Sequence, residues 1–96
     1  MIVGFKSKAA EDLFHGISSK ESRRFPPSIL SAAQRKLDLL NAASAVLDLK
    51  SPPGNRLELL KGNLKGKWSI RINDQYRILF EFKNGNAYQV DVTDYH

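Results

Sequence analysis

One change of hydrophobic period organises this chain. Ile29, Ala33, Leu37, Leu40 and Ser44 fall four, four, three and four residues apart, which is one face of a helix. Trp68, Ile70 and Ile72 instead alternate with Lys67, Ser69, Arg71 and Asn73. Tyr76, Ile78, Phe80 and Phe82 likewise alternate with Arg77, Leu79 and Glu81. A side-chain period of two belongs to strands with one buried face. A helical half followed by an alternating half predicts an α+β fold, an antiparallel sheet with two N-terminal helices packed on one face.

Local signals set the boundaries. Residues 1–5 read as a short strand. Ser7 caps a helix over 8–15, with Gly16 as its stop. Pro27 suits the first turn of a second helix, and 44–49 reads as one further helical turn. Asn73-Asp74-Gln75 reads as a hairpin turn. Asn84-Gly85 is a stronger one, because a type I′ turn needs positive φ at both central residues. A last strand then runs from Ala87 to Val92, with Tyr88, Val90 and Val92 on one face. The expected order is β-α-α-β-β-β-β, one domain over residues 1–96. The linker 17–25 is expected to be mobile, since Ile17 to Arg24 has little to bury.

Composition narrows the function. The 96 residues include no cysteine, which excludes disulfides, thiolate catalysis and Cys-ligated zinc and fits a reducing, cytoplasmic setting. His15 and His96 make no metal-binding pattern, so no metal and no cofactor are expected. No apolar run approaches the ~18 residues of a membrane span, and the start carries no readable signal peptide. Fifteen basic against ten acidic residues give a net charge of +5. Such a balance points to anionic partners. The excess is local: six basic residues (Arg56, Lys61, Lys65, Lys67, Arg71, Arg77) and two acidic ones lie between Arg56 and Arg77.

Parity then places the chemistry. If Trp68, Ile70 and Ile72 face the helices, Arg71 turns away; if Tyr76, Ile78 and Phe80 do, so does Arg77. The helix-free side of the sheet is expected to carry two guanidiniums on neighbouring strands. Arg77 can clamp a phosphate and stabilise charge building on phosphorus, or be a packed surface residue with a wet head. The loop Lys61-Gly62-Asn63-Leu64-Lys65-Gly66-Lys67 lacks P-loop spacing and either contacts RNA phosphates or is a solvated turn. Asp94-Tyr95-His96 is either a frayed tail or a set of proton-transfer groups tied down by the last strand.

The residues Pro52-Pro53-Gly54-Asn55-Arg56-Leu57-Glu58, Leu60-Lys61-Gly62, Trp68 to Ile78, Asn84-Gly85-Asn86-Ala87 and the terminal Asp94-Tyr95-His96 together resemble the HigB toxins. These form the plasmid maintenance system killer branch, with GraT-like members, of the RelE/ParE superfamily. The resemblance covers nearly the whole chain. It implies a RelE-like fold and a ribosome-dependent, metal-independent mRNA endonuclease, an mRNA interferase that enters the ribosomal A site of the 70S particle. It implies a HigA-like helix-turn-helix antitoxin as partner, with operator DNA contacted only through that antitoxin. Carried over, Arg77 would stabilise the scissile phosphate. Tyr95 and His96 would sit at the cut in acid/base or orienting roles, with Asp94 beside them and Lys61 adding positive charge. Arg56, Arg71, Lys65 and Lys67 would support the RNA.

The chain departs from the family pattern at two positions. Some HigB toxins have histidine where this chain has Glu58, and some have arginine where it has Asn73. Glu58 is therefore a possible base, and Arg71 a possible replacement for the missing charge. Two other readings of the same fold are a ParE-like DNA gyrase inhibitor, which generally lacks the Asp-Tyr-His ending, and a non-catalytic module that only binds an antitoxin.

Overall fold

The computed structural model describes residues 1–94. Two helices, α1 (Lys8–His15) and α2 (Pro27–Ala42), precede a sheet of β1 (Glu58–Leu59), β2 (Trp68–Arg71), β3 (Tyr76–Lys83) and β4 (Asn86–Asp94). The strands lie in sequence order and every neighbouring pair is antiparallel.

The helix ends are where local chemistry puts them. The Ser7 hydroxyl accepts from the Ala10 amide at 3.1 Å, and Gly16 closes α1 at φ 70°, a conformation glycine adopts without steric cost. Pro27 opens α2. Ile29, Ala33, Leu37 and Leu40 are buried, whereas Ser44 falls past the helix end and is exposed. The further turn is a 3-10 segment, Val46–Lys50.

One core fills the space between layers. It joins Ala9, Ala10 and Leu13 of α1 and the buried face of α2 to Ile70, Ile78, Phe80, Val90 and Val92 of the sheet. Trp68 and Tyr76 pack against it half-buried. The Asn84–Gly85 turn has φ 53° and 80°, as a type I′ hairpin requires.

Three expectations need correction. Residues 1–5 form no continuous strand. They lie parallel to the outer edge of β4 through two isolated bridges, Ile2–Ala87 and Phe5–Val90. Four main-chain hydrogen bonds of 2.8–3.1 Å hold them there. Between the two bridges β4 carries Gln89, at φ 52°, an extra residue relative to β3. That bulge causes the second correction. Leu79 pairs with Asp91 but Glu81 pairs with Tyr88, so Phe80 faces two residues of β4. Val90 and Val92 point into the core, while Tyr88 is turned to the opposite face.

The third correction concerns what the linker buries. Its serines fold onto a carboxylate of α1 that is only 1% exposed, Asp12. The Ser19 hydroxyl donates to Asp12 at 2.6 Å, and the buried Ser22 hydroxyl donates to the Ile17 carbonyl at 2.9 Å. The Ser19 bond holds the Asp12 carboxyl below its ordinary value of 3.8, against the opposing effect of burial, with Lys8 adding to the lowering. Phe25 closes the linker by packing edge-on to Tyr76, ring centres 5.7 Å apart. An acid on an amphipathic helix looks solvent-facing in a sequence; its burial is visible only once the serines arrive.

Candidate functional site

The sheet face turned from the helices is built in rows. Residues directly opposite in an antiparallel pair share a face. Arg71 of β2 stands opposite Arg77 of β3, and Arg77 stands opposite Thr93 of β4. The next row is Glu58, Ser69, Leu79 and Asp91. One row further, Glu81 faces Tyr88.

Like charges set directly opposite in a sheet destabilise it. Each arginine is therefore held by something else. Arg71 forms an ion pair with Asp74 in the β2–β3 turn. Arg77 donates through Nε to the Ser69 hydroxyl at 2.9 Å and through Nη2 to the Arg56 carbonyl at 2.7 Å. Both arginines remain part-exposed. A guanidinium fixed at two of its nitrogens still has donors left for an anion.

The Arg56 carbonyl is itself positioned by a buried residue. Asn55 is fully buried at 0% exposure. Its amide donates to the carbonyls of Leu49 at 3.1 Å and Ser51 at 3.3 Å, and its oxygen accepts from the Lys36 ammonium of α2. Arg56 follows in a left-handed conformation at φ 45°, uncommon for a residue with a Cβ. Burial pushes the Lys36 amine below its ordinary value, and the charges of Arg35 and Arg71 push the same way.

The structure gathers Arg56, Arg71, Arg77 and Glu58 on or beside this face. Glu58 is exposed, one strand from Ser69, which is the residue that fixes Arg77. Lys61 is exposed and borders the same open depression as Glu58. Lys65 is exposed in the turn after the 3-10 segment Gly62–Leu64. Lys67 is paired with the Glu81 carboxylate at 3.2 Å. Asp94 sits apart from the arginine row: it pairs with Tyr76, on the opposite parity from Arg77, and accepts from the Gln75 amide at 2.9 Å. Tyr95 and His96 lie outside the described residues. Among the described residues no group of three His, Asp or Glu could hold a metal ion.

Ser69, Asn55 and Lys36 escaped the sequence reading. Ser69 was legible as an outward residue beside Arg71, but its bond to Arg77 depends on strand register. Lys36 and Asn55 are 19 residues apart with no periodic relation.

The family model described as the RelE-like toxin HigB of type II toxin–antitoxin systems matches residues 4–96. A protein of Vibrio cholerae serotype O1 named Toxin HigB-1 is 48% identical over 87 residues, covering 91% of this chain and 90% of that protein. A Proteus vulgaris protein named Endoribonuclease HigB is 33% identical over 97 residues, covering 100% of both. Among solved structures, the YoeB–YefM complex from Staphylococcus aureus contains a chain of similar fold at TM-score 0.57 and 18% identity, covering 100% of this chain and 98% of that one.

Proposed function

Since the chain belongs to the HigB-like, RelE-like toxins of type II toxin–antitoxin systems, we infer that it is an endoribonuclease that cuts mRNA. We infer further that the Arg71–Arg77 face of the sheet is where it cuts. The observation that carries this reading is the pairing of two arginines directly opposite each other on the helix-free face. That arrangement costs the free protein stability and is relieved when a polyanion settles on it.

Cleavage through the RNA's own 2′-hydroxyl fits these residues. The hydroxyl proton leaves to a base as the oxygen attacks phosphorus. The non-bridging oxygens gain charge, and the departing 5′-oxygen takes up a proton, leaving a 2′,3′-cyclic phosphate. Arg77, held by Ser69 and the Arg56 carbonyl, stabilises the charge, with Arg71 and Lys61 adding to the field. Glu58 is the candidate base. Tyr95 and His96 are the candidate proton donors, with Asp94 beside them in sequence. Arg56, Lys65 and Lys67 support the RNA backbone. A positioned acid or base contributes typically ~10²–10⁴-fold. Orientation in the ribosomal A site supplies much of the remainder, so the enzyme acts where ribosomes are, in the cytoplasm, and needs no metal or cofactor.

The family is defined by a toxin–antitoxin pair. We take the partner to be a HigA-like helix-turn-helix antitoxin that also carries the contact to operator DNA, and residues 1–96 to be one toxin domain. No helix among the described residues is long and apolar enough to cross a membrane.

The test is a purified translation reaction with and without ribosomes, comparing the wild type with Arg77→Ala. Cuts that need ribosomes and vanish in the variant are expected. Cleavage of free RNA would remove the A-site step. A folded wild type that cuts nothing would overturn the nuclease reading.

A further inference from the structure

Among the described residues, Tyr88 is the one large aromatic on the arginine face of the sheet. The residue is 37% exposed, and it stands opposite Glu81, four residues along β3 from Arg77. Four strand residues span about 13 Å. That is about four nucleotides of stacked single strand at ~3.4 Å each, and fewer if the strand is extended.

The bulge is what puts the ring there. Simple alternation would turn Tyr88 inward with Val90 and Val92. The extra residue Gln89, at φ 52°, shifts the phase so that Ala87 and Val90 stay buried and Tyr88 comes out. A left-handed non-glycine residue costs roughly 1–2 kcal/mol. The core gains from Ala87 and Val90; the exposed tyrosine takes no share in that gain.

The surroundings suit a nucleobase. Tyr88 borders an open depression with Lys83, Asn84 and Gln89, which offer an ammonium and two amides. Glu81 also lines it, but the Lys67 ammonium at 3.2 Å offsets its charge. Between this depression and Arg77 lies Leu79, an apolar side chain on the same face. An exposed ring on the same face as fixed cations is how single-stranded nucleic acid is held without base pairing.

We propose that Tyr88 is a base-stacking subsite of the RNA path, holding a nucleotide a few positions from the scissile phosphate at Arg77. This rests on the nuclease reading above. It commits the surface to single-stranded RNA rather than to the antitoxin, because Lys83 lines the depression and the arginine row lies on the same sheet face.

Binding tests the subsite apart from catalysis. The probe is a short labelled single-stranded RNA whose 2′-hydroxyls are methylated, so that it cannot be cut, followed by fluorescence anisotropy at low salt. Tyr88→Ala is expected to weaken binding by about tenfold or more, in line with loss of one stacked base. Tyr88→Phe is expected to bind as the wild type does, and all three proteins to melt alike. In the translation reaction Tyr88→Ala should raise KM more than it lowers kcat. Equal binding by Tyr88→Ala overturns the proposal, as does a Phe variant as weak as the Ala variant. A Tyr88→Ala protein that binds RNA normally but loses its antitoxin overturns it in favour of a protein interface. A wild type that binds RNA through Tyr88 yet never cuts keeps the subsite and discards the nuclease.

Discussion

Arg77 Nε donates to Ser69 Oγ at 2.9 Å across the β2–β3 ladder, and Ser69 is fully buried at 0% exposure. The two are diagonal neighbours on one face, since Ser69 pairs with Leu79 and Arg77 with Arg71. A buried hydroxyl on a strand moves little, so it fixes the guanidinium plane. The Arg56 carbonyl at 2.7 Å fixes the other end.

Arg77→Lys is therefore not a conservative change. An ammonium cannot span Ser69 and Arg56 while presenting a planar fork to phosphate. We expect at least a hundredfold loss of cleavage, as for other fixed donors to a developing oxyanion, with stability changed by less than about 1 kcal/mol because the head group is part-exposed. Ser69→Ala keeps the charge and frees its orientation, so a loss of roughly tenfold is expected. Single-turnover cleavage beside thermal melting separates the two effects. A lysine variant of full activity would show that charge alone suffices.

Asn55 is where stability and site geometry meet. Asn55→Ala removes bonds to the Leu49 and Ser51 carbonyls and strips Lys36 of its acceptor. Leaving buried polar groups unpaired costs about 1–3 kcal/mol each. A loss of about 2–3 kcal/mol lowers Tm by roughly 10 °C or more in a domain this size. Because Asn55 precedes Arg56, cleavage measured well below the new Tm should fall too. Melting by circular dichroism checks the first outcome. Residual activity in the cold checks the second, and full activity there would reduce Asn55 to a structural role.

What could be read ahead of the structure was local. Ser7 and Gly16 bound α1, Pro27 opens α2, and Asn84–Gly85 turns the hairpin, because in each case one residue's own chemistry decides the backbone. The opposed arginines were nearly legible too. Alternation gives their face, and the short Asn73–Gln75 turn brings their strands together. Tyr88 was misread because Gln89 adopts positive φ without being glycine, so nothing marked the phase shift. What the linker buries was missed because its anchors lie in other elements, Asp12 of α1 for Ser19 and Tyr76 of β3 for Phe25. Asn55 was invisible as an anchor because its partners come from α2 and from the turn before it.

Asp12 makes stability depend on pH. Its carboxyl is held below the ordinary 3.8, first by the Ser19 hydroxyl and then by Lys8. The folded state thus binds its proton less readily than the unfolded chain. The contribution is present in full above the unfolded value and is lost as pH falls through the folded one. Urea midpoints of the wild type should hold above about pH 5 and drop below about pH 4. Asp12→Asn should be less stable at neutral pH, and the two curves should converge in acid. A gap that stays constant with pH would mean the Asp12 charge is not what holds the Ser19–Ser22 linker.

Gln89 is the inserted residue of β4, and two changes test it from opposite sides. Gln89→Gly keeps the bulge and removes the steric cost of φ 52°, so a gain of up to about 1 kcal/mol is expected. Deleting Gln89 would regularise the β3–β4 ladder and leave every other side chain on its present face. It would also bring Ala87 and Val90 one residue closer. Their bridges to Ile2 and Phe5 are spaced three residues apart on both segments, so one of the two must then break. The deletion should therefore lose about 1–2 kcal/mol despite its tidier ladder, the scale of one or two main-chain hydrogen bonds. Amide exchange at Val3 and Lys6 reports the bridges directly, since both amides donate to β4. Unchanged protection there in the deletion variant would mean that residues 1–6 adapt to either register.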